Sequence, residues 1–153
     1  MLFRSEGNDV WRLYWERIGQ MARSGVYDFA AHLDLPKKFG FRPTIDLTEN
    51  ALAALDALAS ADMAIEINTA GWSLPAQEAY PAFNLLHAAR ERAIPLLINA
   101  DAHRPEHLTR DFDRARDLAR RAGYTELVRY EARRRFAVPM VSDQGRMTSI
   151  GEV

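Results

Sequence analysis

The chain has 153 residues, of which 48% are hydrophobic and 27% charged, and its 20 Lys and Arg against 21 Asp and Glu leave a net charge of -1. This length suits one domain with a substantial core, and the charge balance gives no reason to expect a nucleic-acid or membrane partner. The chain has no cysteine, which excludes disulfides, thiolate metal sites and cysteine nucleophiles, so any metal must be held by His, Asp, Glu or Asn. A polar N-terminus and the lack of a long apolar run predict a cytoplasmic protein without a signal peptide or membrane span.

The first half of the chain predicts two units in which an amphipathic helix is followed by a short apolar run. A helix is expected over residues 8–25, capped by Asn8 or Asp9, and a strand over residues 26–32. A second helix is expected over residues 46–62 with Thr48 as its N-cap, and a second strand over residues 63–68.

The second half repeats the pattern. A helix over residues 80–93 starts with Pro81 near its first turn and leads into the apolar run 94–103. A last helix over residues 110–126, stopped by Gly123, leads into a strand at 127–131. This alternation predicts an α/β fold with about four parallel strands. We assign residues 1–140 to the domain and expect a partly disordered tail over residues 141–153.

Polar side chains follow the first three predicted strands. His32 ends the first strand, Asn68 the second, and Asp101 and His103 the third. The carboxyl ends of parallel strands meet at one opening, and residues i and i+2 of an extended segment point to the same side. A carboxylate beside imidazoles suits Zn²⁺, Mn²⁺ or Fe²⁺.

The same residues also fit structural roles. An Asp after a strand often caps the next helix, and a single histidine such as His32 can be a buried, hydrogen-bonded residue. The residues alone leave both interpretations open. His87 is expected to be a surface or packing residue, and His107 to be solvated or at the edge of the opening. No Gly-rich phosphate loop occurs, which removes support for a Rossmann or P-loop site.

Four segments together resemble the C-terminal half of the PHP-domain phosphoesterases, in particular their histidinol-phosphate phosphatases. In chain order they are "YDFAAHLDLPKKFG", "AIEINTAGWSLPAQEAYP", "LLINADAHRPEHL" and "AGYTELVRYEARRRFAVPM". The resemblance implies half of a distorted (β/α)7 barrel, TIM-like in plan, with up to three divalent metal ions (Zn, Mn or Fe) at its opening. It also implies hydrolysis of a small phosphomonoester by a metal-activated water, the type reaction being histidinol phosphate to histidinol in histidine biosynthesis.

The resemblance assigns roles to individual residues. His32, Asp101 and His103 match metal ligands, one for each of three metal positions. Arg104 is expected near the phosphate, with Asn68 and Lys37 as further candidates for phosphate or substrate contacts. A solvated surface role is the other expectation for Lys37 and its neighbour Lys38.

The chain departs from the family pattern in two respects. It contains no H-x-H motif, with which the family opens, so we expect it to be a fragment of a longer gene, to pair with a separate N-terminal half, or to self-associate. The tryptophans at positions 11, 15 and 72 are expected to lie partly on the surface that missing strands would cover. Ser73 stands in a segment where the phosphatases often place a basic residue, and Ser lacks the bidentate phosphate contacts of Arg.

Three functions are therefore kept open. The first is a histidinol-phosphatase-like enzyme whose chain alone should bind metal poorly, because catalytic zinc sites typically use three protein ligands. The second is a binding or interaction module that keeps the scaffold without the chemistry. The third is a phosphoesterase of the same kind that acts on another phosphoester.

Overall fold

A computed structural model describes the backbone of residues 2–140 and the side chains of residues 7–140. Its helices and strands, in chain order, are α1 (Leu2–Arg23), β1 (Phe29–Ala30), α2 (Thr48–Ser60), β2 (Ala64–Asn68), α3 (Phe83–Glu91), β3 (Leu96–Asn99), α4 (Phe112–Arg121), β4 (Glu126–Glu131) and β5 (Arg134–Pro139). Short 3₁₀ helices within this range cover Leu35–Phe39, Thr69–Ser73 and Pro105–His107. The predicted tail over residues 141–153 lies outside the described residues.

The strands β1, β2 and β3 form one parallel sheet in that order, which confirms the mixed α/β class. In its register Ile65 is opposite Leu96 and Asn68 is opposite Asn99. Every residue of β2 is buried, with Ile65 and Ile67 completely so, as expected for a parallel strand covered on both faces. The sheet is open in the described range, and its being half of a barrel stays a prediction.

The prediction of a fourth parallel strand is wrong. Strand β4 turns back at Ala132 and Arg133, both with positive φ (47° and 64°), and pairs with β5 in an antiparallel hairpin. Two consecutive positive φ angles match the twist of a tight hairpin, which the apolar pattern of a single strand does not reveal. The hairpin is anchored to the start of β1, where Tyr130 stacks on Phe29 with ring centroids 5.9 Å apart and donates to the Asp28 carbonyl.

Helix α1 differs from its prediction at its start and in its buried face. It begins six residues earlier than expected, so Asn8 lies inside it. The side-chain oxygen Oδ1 of Asn8 instead accepts the Thr44 N–H at 2.9 Å, which ties the helix to a distant loop. The expectation that Trp11 and Trp15 are partly exposed is also wrong, since they are 6% and 4% exposed and belong to the main core cluster.

Trp72, the third tryptophan, is half-buried. The Arg114 guanidinium lies over its ring, 4.3 Å from the ring centroid.

The other helices lie within their predicted ranges, although α3 begins at Phe83, so Pro81 precedes the helix and is not in its first turn as predicted. Leu55 and Leu58 of α2 and Ala115 and Ala119 of α4 are at most 1% exposed, so each helix buries its apolar stripe in the common core. The prediction of Thr48 as the N-cap is wrong, because Thr48 is the first residue of α2 and its own N–H donates to the Asp46 carboxylate at 2.9 Å. No helix between residues 2 and 140 is both long and apolar enough to cross a membrane.

Candidate metal and phosphate site

The carboxyl ends of the three parallel strands surround a cleft of about 440 Å³, which we call the strand-end cleft. Loops after β1 and β3 and side chains of β2 contribute to its wall, so the sheet topology brings together residues that are far apart in sequence. Its lining comprises Ala31, His32, Glu66, Asn68, Asn99, Ala100, Asp101, Ala102, Leu108 and Phe112. The sequence predicted such an opening, and three of the predicted site residues line it.

His32 follows β1 and is held at both of its backbone polar groups. Its φ of 33° is unusual for a residue with a side chain. Its N–H donates to Glu66 Oε2 at 2.7 Å, and its carbonyl accepts the Tyr14 hydroxyl at 3.3 Å. Among residues 7–140 no side chain or backbone group hydrogen-bonds a ring nitrogen of His32. The half-buried imidazole is therefore available to a ligand in the cleft.

Asp101 and His103 come together through a turn. Asp101 has a φ of 49°, so the segment is not extended as the i, i+2 argument assumed. His103 Nδ1 lies 2.8 Å from the Asp101 carbonyl oxygen and 3.9 Å from Asp101 Oδ1. Since a carbonyl only accepts, Nδ1 is the donor in this bond, and in the neutral imidazole Nε2 then keeps a free lone pair. The His103 side chain is 82% exposed and lies beside the lining residues rather than among them.

The side chains of the strand-end cleft are of the types that bind divalent metals, but too few of them lie close together. Imidazole nitrogens and a carboxylate are the ligands that Zn²⁺, Mn²⁺ and Fe²⁺ accept, and a ring N–H bonded to a carbonyl is the usual support of a ligating histidine. Among residues 7–140, however, no group of three or more His, Asp or Glu side chains is close enough to hold one ion. The described residues alone therefore contain no complete metal site.

The three candidates for phosphate contacts lie in different environments. Asn68 is 1% exposed and lines the cleft, but its carbonyl oxygen accepts the Ala70 N–H and its amide donates to Glu66 Oε2. Arg104 is exposed and precedes the 3₁₀ helix Pro105–His107. Of the three, Arg104 has the side chain most open to an incoming anion.

Lys37 corrects the expectation of a solvated lysine pair. Its side chain is completely buried, and its ammonium lies 2.8 Å from both Asp34 Oδ2 and the Ala79 carbonyl oxygen and 3.4 Å from Glu78 Oε1. Burial raises the pKa of Asp34 to about 7, although the Lys37 ammonium opposes this shift. With these partners around it, Lys37 has no open side toward a phosphate, and we leave it out of the site.

Glu66 is the residue that sequence reasoning missed. It is 4% exposed, and its carboxylate accepts hydrogen bonds from the His32 N–H, the Asn68 amide and the Asn99 amide. The available signal was a single carboxylate within the apolar run "AIEIN", where each residue of the strand is buried. Such a carboxylate must be hydrogen-bonded, because its transfer from water is otherwise very unfavourable.

A second cavity, of about 680 Å³, lies between α1 and the 3₁₀ helix Leu35–Phe39. Its walls are mostly apolar and include the exposed side chains of Val10, Phe39 and Phe41. Its lining contains none of the histidines or carboxylates of the strand-end cleft.

Comparison with known proteins finds a curated relative of part of the chain. No protein-family model matches the chain. Over 96 residues it is 47% identical to a curated protein of Deinococcus radiodurans described as a probable histidinol-phosphatase. The match covers 63% of this chain and 36% of that relative, so the chain spans little more than a third of its length. The chain therefore has a histidinol-phosphatase-like relative.

Proposed function

We propose that this chain is part of a metal-dependent phosphoesterase of the histidinol-phosphatase kind, with a PHP-type barrel as its complete fold. The observation that carries the proposal is the strand-end cleft, where His32 and Asp101 from two separate strands face one space beside His103. The named relative supports the reaction class. Histidinol phosphate is the first substrate to test.

In this proposal His32, Asp101 and His103 Nε2 hold divalent ions, each as part of a larger ligand set. A bound ion would supply an activated water and stabilise the charge on the phosphoryl oxygens. The chain's own contribution is to orient the ligands. The Asp101 carbonyl fixes the His103 tautomer. The backbone of His32 is fixed at both ends, since its N–H donates to Glu66 and its carbonyl accepts the Tyr14 hydroxyl. Arg104, exposed beyond Asp101, is the proposed contact for the substrate phosphate.

The remaining ligands would come from outside residues 7–140. Catalytic zinc sites typically use three protein ligands, and the described residues contain no such group. Further ligands could be supplied by another segment of the same protein, by a separate polypeptide or by a second copy. Each source would place its residues at the open side of the strand-end cleft.

A chimera tests the proposal. Residues 26–140 would replace the corresponding region of the Deinococcus radiodurans relative, and release of phosphate from histidinol phosphate would be measured with Mn²⁺ or Zn²⁺. We expect activity in the chimera, its loss in Asp101→Asn and His32→Ala, and no change in His87→Ala, whose side chain is 53% exposed on α3. A folded, metal-loaded chimera without activity, beside an active intact relative, would contradict the proposal.

The alternative is a binding module that kept the scaffold and lost the chemistry. Two observations favour it, namely the lack of a three-ligand group among residues 7–140 and the neutral Ser73 where the resemblance leads one to expect a basic residue. Under this alternative the chimera folds and binds no metal at the cleft. Activity on other phosphomonoesters but not on histidinol phosphate would support the enzyme with a different substrate.

A further inference from the structure

Glu66 joins the ends of all three parallel strands. It lies within β2, its Oε2 accepts the His32 N–H after β1 at 2.7 Å, and its Oε1 accepts the Asn99 amide at the end of β3 at 2.7 Å. Its Oε2 also accepts the Asn68 amide at 3.1 Å. One carboxylate thus connects the loop that carries His32 to the strand end that leads to Asp101.

The fold alone does not require a charge at this position. Within residues 7–140 no Lys, Arg or His forms an ion pair with Glu66, so its buried charge is stabilised by neutral N–H donors. An apolar residue at this position would avoid the free-energy cost of removing a carboxylate from water, which is large in a buried strand. The contacts that a carboxylate gains in return all lie at the strand-end cleft.

The bond to His32 acts on a constrained backbone. His32 has a φ of 33° and Asp101 a φ of 49°, both in the left-handed region that residues with a Cβ rarely occupy. Such conformations persist only where surrounding contacts hold them. The short, charge-assisted bond from the His32 N–H and the bond from the Asn99 amide are contacts of this kind.

We propose that Glu66 is the positioning residue of the strand-end cleft. It acts through the backbone of His32 and the amide of Asn99, and so sets the His32 imidazole relative to Asp101. The inference rests on the proposed function in taking these two side chains as ligands. Groups behind metal ligands typically change metal affinity or activity by 10–100-fold when they are replaced.

The test uses the full chain labelled with nitrogen-15 and two readouts. The first is amide hydrogen exchange of His32, measured relative to the Ile65 amide, which donates to the Pro95 carbonyl within the sheet. The second is the apparent affinity for Mn²⁺, read from paramagnetic broadening of the Asp101 amide signal. The variants are Glu66→Gln, which keeps the shape but loses the negative charge, and Leu58→Ala, a core truncation in α2 away from the cleft.

For Glu66→Gln we expect the ratio of His32 to Ile65 exchange to rise at least tenfold and the Mn²⁺ affinity to fall 10–100-fold. For Leu58→Ala, exchange should rise for both amides together, with the affinity within twofold of the parent. An unchanged exchange ratio in Glu66→Gln would overturn the inference. So would an equal loss of affinity in both variants, because general destabilisation would then explain it. If the parent chain alone gives no Mn²⁺ broadening, which its incomplete ligand set would explain, the exchange ratio by itself decides the role of Glu66, and the chimera decides the metal proposal.

Discussion

Lys37 Nζ lies 2.8 Å from Asp34 Oδ2, and both side chains are almost completely buried. The pair joins the 3₁₀ helix after His32 to the segment before α3, because Lys37 also donates to the Ala79 carbonyl and Asp34 accepts the Ala82 N–H. It is therefore an internal clamp between these two segments.

The first prediction follows from this ion pair. Lys37→Met should lower the free energy of unfolding by about 3–5 kcal/mol at pH 8, because it leaves the Asp34 charge buried without a partner. Urea denaturation would measure the loss. Lys38→Met is the matched control, since that lysine is only half-buried and should change stability by less than about 0.5 kcal/mol. Equal effects at the two positions would show that the clamp contributes nothing specific.

The second prediction concerns pH. Burial raises the pKa of Asp34 from 3.8 to about 7, so between these values the folded protein binds more protons than the unfolded chain. The contribution of Asp34 to stability is therefore greatest below about pH 4 and falls as the pH rises toward 7. The unfolding free energy of the parent minus that of Asp34→Asn should therefore decrease as the pH rises across this window. A difference that grows with pH would mean that the folded pKa is lowered instead.

The third prediction compares two glycines. A Cβ at Gly71 would lie 2.1 Å from the Glu78 carbonyl oxygen, so Gly71→Ala must displace backbone and should cost at least about 1–3 kcal/mol. Gly7 lies exposed in α1 with nothing within 4 Å of an added Cβ. Gly7→Ala should instead stabilise by about 0.5–1 kcal/mol through helix propensity. The midpoint temperatures of thermal unfolding should shift in opposite directions for the two variants. Shifts of the same sign would contradict the packing described around Gly71.

The fourth prediction tests His103 as a ligand. In the chimera, His103→Ala should weaken Zn²⁺ binding at least tenfold in calorimetric titration, since the Nε2 ligand atom is lost. The His103 side chain is 82% exposed, so the same change should leave the unfolding free energy within about 0.5 kcal/mol. His87→Ala provides the control on another exposed histidine. Retained affinity in His103→Ala would remove this residue from the proposed site.

Sequence alone predicted the helices and the parallel strands β1, β2 and β3, because apolar periodicity reports directly which side of an element is buried. It also placed His32, Asn68 and Asp101 at strand ends, where the topology of parallel sheets brings them to one opening. Tertiary structure alone decided the hairpin of β4 and β5, since its direction depends on two backbone angles at Ala132 and Arg133.

Partners that are distant in sequence account for the remaining differences. Lys37 is buried because Asp34, Glu78 and the Ala79 carbonyl surround its ammonium, and no local pattern distinguishes it from the half-buried Lys38. Glu66 is a hydrogen-bond centre because strands on both sides present N–H groups to it. A sequence shows which groups are polar, whereas only the folded chain shows whether water or another residue satisfies them.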